Sequence, residues 1–155
     1  MSSDLHKVSP KFTLGAYLEA YYSSRNFSNN YTATLMQAGE FTPTAHSKVT
    51  YNEAFRANQY AGVGAIPIYQ LSESFQLRGD FYGFIPIFPI KKDEYGQAYY
   101  GKAFTKFEYL GEISLVFQLS FGSISAYVNH YSSPSNDWNV GLTLGWQLFN
   151  SRFVE

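Results

Sequence analysis

Five charged residues whose types could support acid–base chemistry fall in two segments of alternating sequence. They are Arg78, Asp80, Lys106, Glu108 and Glu112. Two nearby carboxylates, such as Glu108 and Glu112, could divide the roles of general acid and general base. Opposite charges on neighbouring strands also stabilise a sheet by pairing across it. We favour this structural interpretation and predict no catalytic residue in the chain.

Nucleophilic and metal chemistry have equally little support in the sequence. The nucleophile elbow of many hydrolases needs a G-x-S-x-G pattern, whereas residues 122–125 read Gly-Ser-Ile-Ser and lack the closing glycine. His6, His46 and His130 are scattered along the chain, and no spacing typical of a metal site connects them. We interpret all three as surface histidines and expect neither a metal nor a cofactor.

The composition argues against several classes of protein. The 155 residues carry a formal net charge of −1, so no excess of basic residues favours a nucleic-acid partner. Cysteine is absent, which excludes disulfides and thiolate zinc sites. No apolar run reaches the roughly 18 residues that a transmembrane helix requires. The aromatic share of 19% is high and requires an explanation.

The main structural signal is a long alternation of apolar and polar residues. In 75–87 every odd position is apolar, aromatic or glycine, and the even positions begin with Gln76, Arg78 and Asp80. The odd positions from 107 to 121 follow the same rule. A period of two is typical of β-strands, but strands in globular proteins usually have about 5–6 residues. Strands that cross a bilayer need about 9–11 residues and one apolar face.

Six strands of this kind are predicted, and the connections between them alternate in length. The strands are placed at 11–22, 57–70, 75–87, 104–121, 123–132 and 138–149. Long segments at 23–56 and 89–103 alternate with short turns at 71–74 and near 120–122. Long outer loops and short periplasmic turns are typical of outer-membrane barrels. We therefore predict an all-β fold, an antiparallel transmembrane β-barrel whose two long segments are outer loops.

The strand count predicts that the chain is one part of a larger barrel. Six strands cannot close, because an open edge in lipid leaves backbone groups unpaired. Residues 1–10 are read as a polar lead-in that lacks the apolar core of a signal peptide. Residues 11–150 would be the C-terminal strands of a longer precursor, and 151–155 a periplasmic tail.

Two motifs narrow the class to a family. The last strand looks like the C-terminal β-signal that barrel-assembly machinery reads. The residues of this pattern are Asn139, Gly141, Leu144, Trp146 and Phe149. Residues 51–60, with Arg56 at their centre, resemble the arginine-bearing motif in the sixth outer loop of the BamA-type (bacterial surface antigen) superfamily. The match departs at Ala57-Asn58, where that family has a glycine–aromatic pair.

The BamA-type resemblance implies a structural role for Arg56. The side chain would reach into the barrel lumen and bind Asp80, Glu108 or Glu112, which would hold the long loop against the wall by charge-assisted hydrogen bonds. The same resemblance implies a complete barrel of about sixteen strands.

From about residue 11 to 153 the sequence resembles one branch of this superfamily more closely, the patatin-like phospholipases of the Bacteroidetes type. The segments that carry this resemblance are 41–58, 81–87 and 127–134. It implies a precursor with an N-terminal patatin hydrolase and a C-terminal BamA-type barrel in the outer membrane of a Gram-negative bacterium. This chain would then be the barrel portion, which anchors the hydrolase and gives lipid or product a route. Its implied partners are outer-membrane lipids, the barrel-assembly machinery and the hydrolase domain of the same precursor.

Two alternatives stay open at this level. One is a soluble β-barrel that binds an apolar ligand. The other is a complete eight-stranded barrel, which would require two further strands within 23–56. Residues 31–36 alternate weakly and are the candidate for such a strand.

Overall fold

A computed structural model describes residues 2–28, 30–133 and 138–146, with side chains in the first strand described from His6 onward. Over these ranges the chain is all-β, and one antiparallel sheet of seven strands dominates the fold. The strands of the sheet, in spatial order, are β1 (Ser2–Ser9), β2 (Phe12–Tyr22), β5 (Gln59–Gln70), β6 (Phe75–Pro86), β9 (Glu108–Leu119), β10 (Gly122–Tyr131) and β11 (Trp138–Trp146). No helix in these ranges is long and apolar enough to cross a membrane.

The sequence predicted residues 1–10 as a polar lead-in outside the sheet, but residues 2–9 form its first strand, β1. Strand β1 pairs with β2 from Ser2 opposite Leu18 to Ser9 opposite Phe12, with a register shift between Lys7 and Ser9. Over the described residues the sheet therefore has seven strands, one more than the sequence predicted. The physical reason is that strand pairing uses backbone groups. A segment without an apolar face can thus pair with the free edge of β2.

The long segment between β2 and β5 contains several short elements. These are helix α1 (Tyr31–Gln37), the two-stranded ladder of β3 (Gly39–Glu40) and β4 (Arg56–Ala57), and a 3₁₀ turn at Glu53–Phe55. The candidate strand at 31–36 is therefore wrong. Asn30 begins the helix, because its side-chain oxygen accepts a hydrogen bond of 3.1 Å from the Ala33 N–H.

The two long loops pack together at one end of the sheet. The second loop forms its own hairpin from β7 (Ile90–Lys92) and β8 (Ala98–Tyr100). Ile90 packs with Leu35 and Ala38 in a buried cluster, and the Tyr31 N–H donates to the Gly96 carbonyl at 3.0 Å. Partial burial against this cluster raises the pKa of the Tyr31 hydroxyl above its ordinary value.

The two faces of the sheet differ sharply in exposure. We call one the outer face; it carries the apolar alternate set, including Leu14 on β2, Leu77 on β6 and Leu115 on β9, which are all exposed. The other, the inner face, carries Asp80 and Glu112, which are both buried. This arrangement is the reverse of a soluble sheet, in which the exposed face is polar.

A covering loop, residues 41–55, buries the inner face. The Phe41 N–H donates to the Phe55 carbonyl at 2.9 Å and closes the base of the loop. Both phenyl rings are fully buried and pack on Phe84 of β6. The sheet makes room for them at Gly62, where a Cβ atom would collide with the Phe41 ring. The core of the protein thus lies between the inner face and its own loop.

Candidate functional site

His46 joins the covering loop to three strands of the inner face. Its Nδ1 lies 2.9 Å from Oε2 of Glu112 on β9, and its Nε2 lies 3.1 Å from Oγ1 of Thr143 on β11. The imidazole stacks on Tyr127 of β10 with ring centroids 3.5 Å apart. The side chain is only 18% exposed, so the prediction of a surface histidine at position 46 is wrong.

Asp80 and Glu112 face each other directly on β6 and β9. Carboxylates in this relation repel and destabilise a sheet, and each therefore needs its own donors. Arg78 donates to Asp80 from Nε at 2.7 Å and from a terminal nitrogen at 2.8 Å, and the Tyr82 hydroxyl adds a bond of 3.0 Å. His46 supplies the partner of Glu112. The Arg78–Asp80 pair runs along one strand, not across two as the sequence suggested.

Glu108 lies at the loop end of β9 and has different partners. Lys106 Nζ lies 3.2 Å from its Oε1, and the Ser132 hydroxyl donates to its Oε2. Glu108 and Glu112 are four residues apart on one strand, hence about 13 Å apart along it. The two carboxylates of glycoside hydrolases stand about 5–10 Å apart around one bond. This pair therefore lacks the geometry of that acid–base dyad.

Arg56 lies beside helix α1. Its Nη2 is 2.8 Å from Oε2 of Glu40, and its Nη1 donates to the carbonyl oxygens of Leu35 at 3.3 Å and Met36 at 3.5 Å. The guanidinium also lies over the Tyr51 ring, 4.7 Å from its centroid. Carbonyl groups in the last turn of a helix lack helical partners, and a cation there is favourable.

The predicted contacts of Arg56 with Asp80, Glu108 and Glu112 are therefore wrong. Those carboxylates bind Arg78, Lys106 and His46 instead. The reason is a local fold that the sequence did not predict: helix α1 presents the Leu35 and Met36 carbonyl oxygens to Arg56. Strand β3 places Glu40 directly opposite Arg56 of β4. Arg56 therefore makes its contacts within the long segment between β2 and β5, whereas His46 contacts the sheet.

Two polar cavities adjoin His46 on the inner face. One of about 280 Å³ is lined by Arg78, Asp80, Glu112 and a series of serine and glutamine side chains. The other, of about 480 Å³, is lined by Tyr127 and Asn129 of β10 together with the far part of the covering loop. His46 lines both. Both cavities are thus polar and large enough to hold water and small polar molecules.

No metal site is formed by the described residues, among which no three His, Asp or Glu side chains are grouped closely enough to hold an ion. His6 is an exposed edge residue, and His130 lies on the outer face between Tyr109 and Trp138.

The residues of the predicted β-signal divide between the two faces of β11. Asn139 and Gly141 pair with Asn129 and Tyr127 of the inner set, whereas Leu144 pairs with Ile124 of the outer set. Trp146 is exposed at the turn end of the strand. Phe149 lies outside the described residues.

The contacts of His46 give a direct prediction. His46→Ala leaves the Glu112 carboxylate buried without its partner, so we expect the free energy of unfolding to fall by about 1–3 kcal/mol. Denaturant titration of the folded protein measures this change. In a Glu112→Leu background the same substitution should cost markedly less, because no unpaired carboxylate remains. Equal costs in the two backgrounds would show that the 2.9 Å contact does not stabilise the loop.

No protein-family model matches this sequence, and no match was found among curated proteins or solved structures.

Proposed function

We propose that this chain forms part of the wall of an outer-membrane β-barrel, with the outer face in lipid and the inner face in the lumen. The observation that carries the proposal is the reversed polarity of the sheet. Large apolar side chains are exposed along six consecutive strands from β2 to β11. The charged and polar alternate set lies on the covered side.

The extent of the apolar surface supports lipid as its environment. Soluble monomers rarely expose contiguous apolar patches larger than a few hundred Å². Here Leu142 and Leu144 on β11 are more than three-quarters exposed. Leu18, on the same face of β2 and five strands away, is 62% exposed. Edge strand β1 does not continue this set, because Ser2, Asp4 and His6 stand opposite the outer residues of β2.

Aromatic side chains gather at both ends of the apolar face. At the loop end are Tyr22, Phe107, Tyr109 and Trp138, and at the turn end are Tyr69, Phe75, Phe121 and Trp146, all exposed. Trp138 and Trp146 are eight residues apart, about 27 Å along the strand, or about 20 Å across a bilayer at a 40° tilt. Membrane barrels have an apolar band about 25 Å tall between two aromatic girdles. The two belts account for part of the high aromatic content, and the buried rings beneath the covering loop account for another part.

The inner face and the loops fit the same arrangement. Long loops lie together at one end of the sheet, whereas residues 71–74 and 120–121 make short turns at the other. In an outer-membrane barrel the long loops face outward. The covering loop would lie in the lumen, where His46 meets the wall.

The function we infer for the wall is that of an anchor. In a patatin-like phospholipase precursor it would be the C-terminal portion of a barrel of about sixteen strands. It would hold the hydrolase domain at the outer membrane, with lipid or product passing by way of the barrel. The lumenal charges then serve structure and not catalysis, and the nucleophile belongs to the hydrolase domain.

The soluble alternative has one observation in its favour, an apolar groove of about 590 Å³ on the outer face. A ligand-binding protein could hold an apolar molecule there. The groove covers only part of the exposed apolar surface, however, and the rest would still face water.

The test uses two neighbouring residues on opposite faces of β10. The 155 residues contain no cysteine, so Ala126→Cys and Ser125→Cys each introduce a single label site within them. In full-length protein reconstituted into phospholipid vesicles, a polarity-sensitive fluorescent label at 126 should show a blue-shifted emission and be quenched by spin-labelled lipid. A label at 125 should be quenched by aqueous iodide. Identical behaviour at both positions, or a protein that stays monomeric in buffer without detergent, contradicts the proposal.

A further inference from the structure

A groove crosses the outer face between β5 and β11, at the end of the sheet that carries the long loops. Its volume is about 590 Å³, within the range of small-molecule sites. Gly83 and Gly111 lie in its floor, and Phe107, Ile113 and Trp138 are among its walls.

The two glycines make the groove deep. Gly111 stands opposite Phe81 on β6 and His130 on β10 in the register of the sheet, and Gly83 stands opposite Tyr109. Both glycines belong to the outer set of their strands, where the neighbouring positions carry large side chains. The surface therefore falls to the level of the backbone between aromatic rings.

The chemistry of the lining selects an uncharged, apolar occupant. None of the described residues that line the groove is Lys, Arg, Asp or Glu, and His130 is the one side chain among them that could become cationic. The phosphates of lipid A, or a charged peptide, would lack partners here. An acyl chain needs none, because burial of apolar surface alone favours its binding.

The position of the groove fits the same occupant. Tyr109 and Trp138 border it and belong to the aromatic belt at the loop end. Such rings lie at the level of lipid headgroups. A chain that enters between them would follow the groove toward the middle of the apolar face. The headgroup would stay at the belt beside His130.

From this geometry we infer that the groove holds one acyl chain of a zwitterionic phospholipid as a fixed site on the barrel wall. The inference rests on the proposed function, since it requires the outer face to lie in a bilayer. Ordinary lipids around a membrane protein exchange freely, whereas a chain seated in a glycine-floored groove should remain through purification.

Native mass spectrometry of the detergent-purified full-length protein tests the inference, with palmitoyl-oleoyl-phosphatidylethanolamine as the added lipid. The wild type should carry one lipid. Gly111→Leu should reduce its affinity at least about tenfold. A Cβ at Gly111 lies 3.4 Å from the Phe81 ring, so the added side chain enters the groove without displacing the backbone. Val128→Phe, which fills the same groove from β10, is the second variant should the first not fold.

Ala126→Leu is the matched control, because Ala126 lies on the outer face of β10 but not in the groove. It should leave lipid occupancy unchanged. A membrane-inserted wild type without retained lipid, or equal retention in Gly111→Leu and wild type, overturns the groove and leaves the barrel proposal intact. A protein that is stable and monodisperse without detergent overturns the proposed function itself. The two failures are thus distinguishable.

Discussion

Leu115→Arg is expected to lower the free energy of unfolding of the full-length protein in phospholipid vesicles by about 2–4 kcal/mol if the outer face lies in lipid, as we propose. Leu115 lies near the middle of β9 on the outer face, and its side chain is exposed. An arginine there would place a cation in the hydrocarbon layer, where no water or counter-charge is available. Urea titration of folding in vesicles measures the difference from wild type.

Ser125→Arg is the matched control for this substitution. Leu115 pairs with Ala126 of β10 in the register of the sheet. Ser125 immediately precedes Ala126 and therefore lies on the opposite, inner face. It lines the smaller polar cavity together with Asp80 and Glu112. An arginine at 125 should therefore cost less than about 1 kcal/mol. Similar penalties at the two positions would contradict the assignment of the outer face to lipid.

The sheet could be predicted from the sequence because alternation is a local property. A strand that exposes one face must repeat its pattern every second residue, and β6 and β9 do so over their whole length. The short turns at 71–74 and near 120–122 predicted two antiparallel pairs, β5 with β6 and β9 with β10, and both are present. Strand β1 could not be found in this way, since its residues carry no alternation and are held by backbone bonds to β2.

The site residues were harder to predict, because their partners depend on how the long loop folds. The motif around Arg56 predicted a loop that contacts the inner face of the sheet, but the residue that makes the contact with Glu112 is His46. Arg56 instead binds Glu40 and the end of helix α1. No sequence feature near His46 indicates that it contacts the sheet. The one available signal is the small set of inner-face carboxylates, each of which requires a buried partner.

Phe41→Ala should have the largest effect of the substitutions considered, about 3–5 kcal/mol in the free energy of unfolding. The Phe41 ring is 1% exposed and packs against Phe55 and Phe84, and the sheet has a glycine where the ring approaches it. Its removal leaves a cavity at the base of the covering loop, so protease should also cleave residues 41–55 faster than in wild type. Phe104→Ala is the control, since that ring is 67% exposed and should contribute little. If Phe41→Ala costs no more than Phe104→Ala, the packing of the covering loop on the inner face does not stabilise the protein.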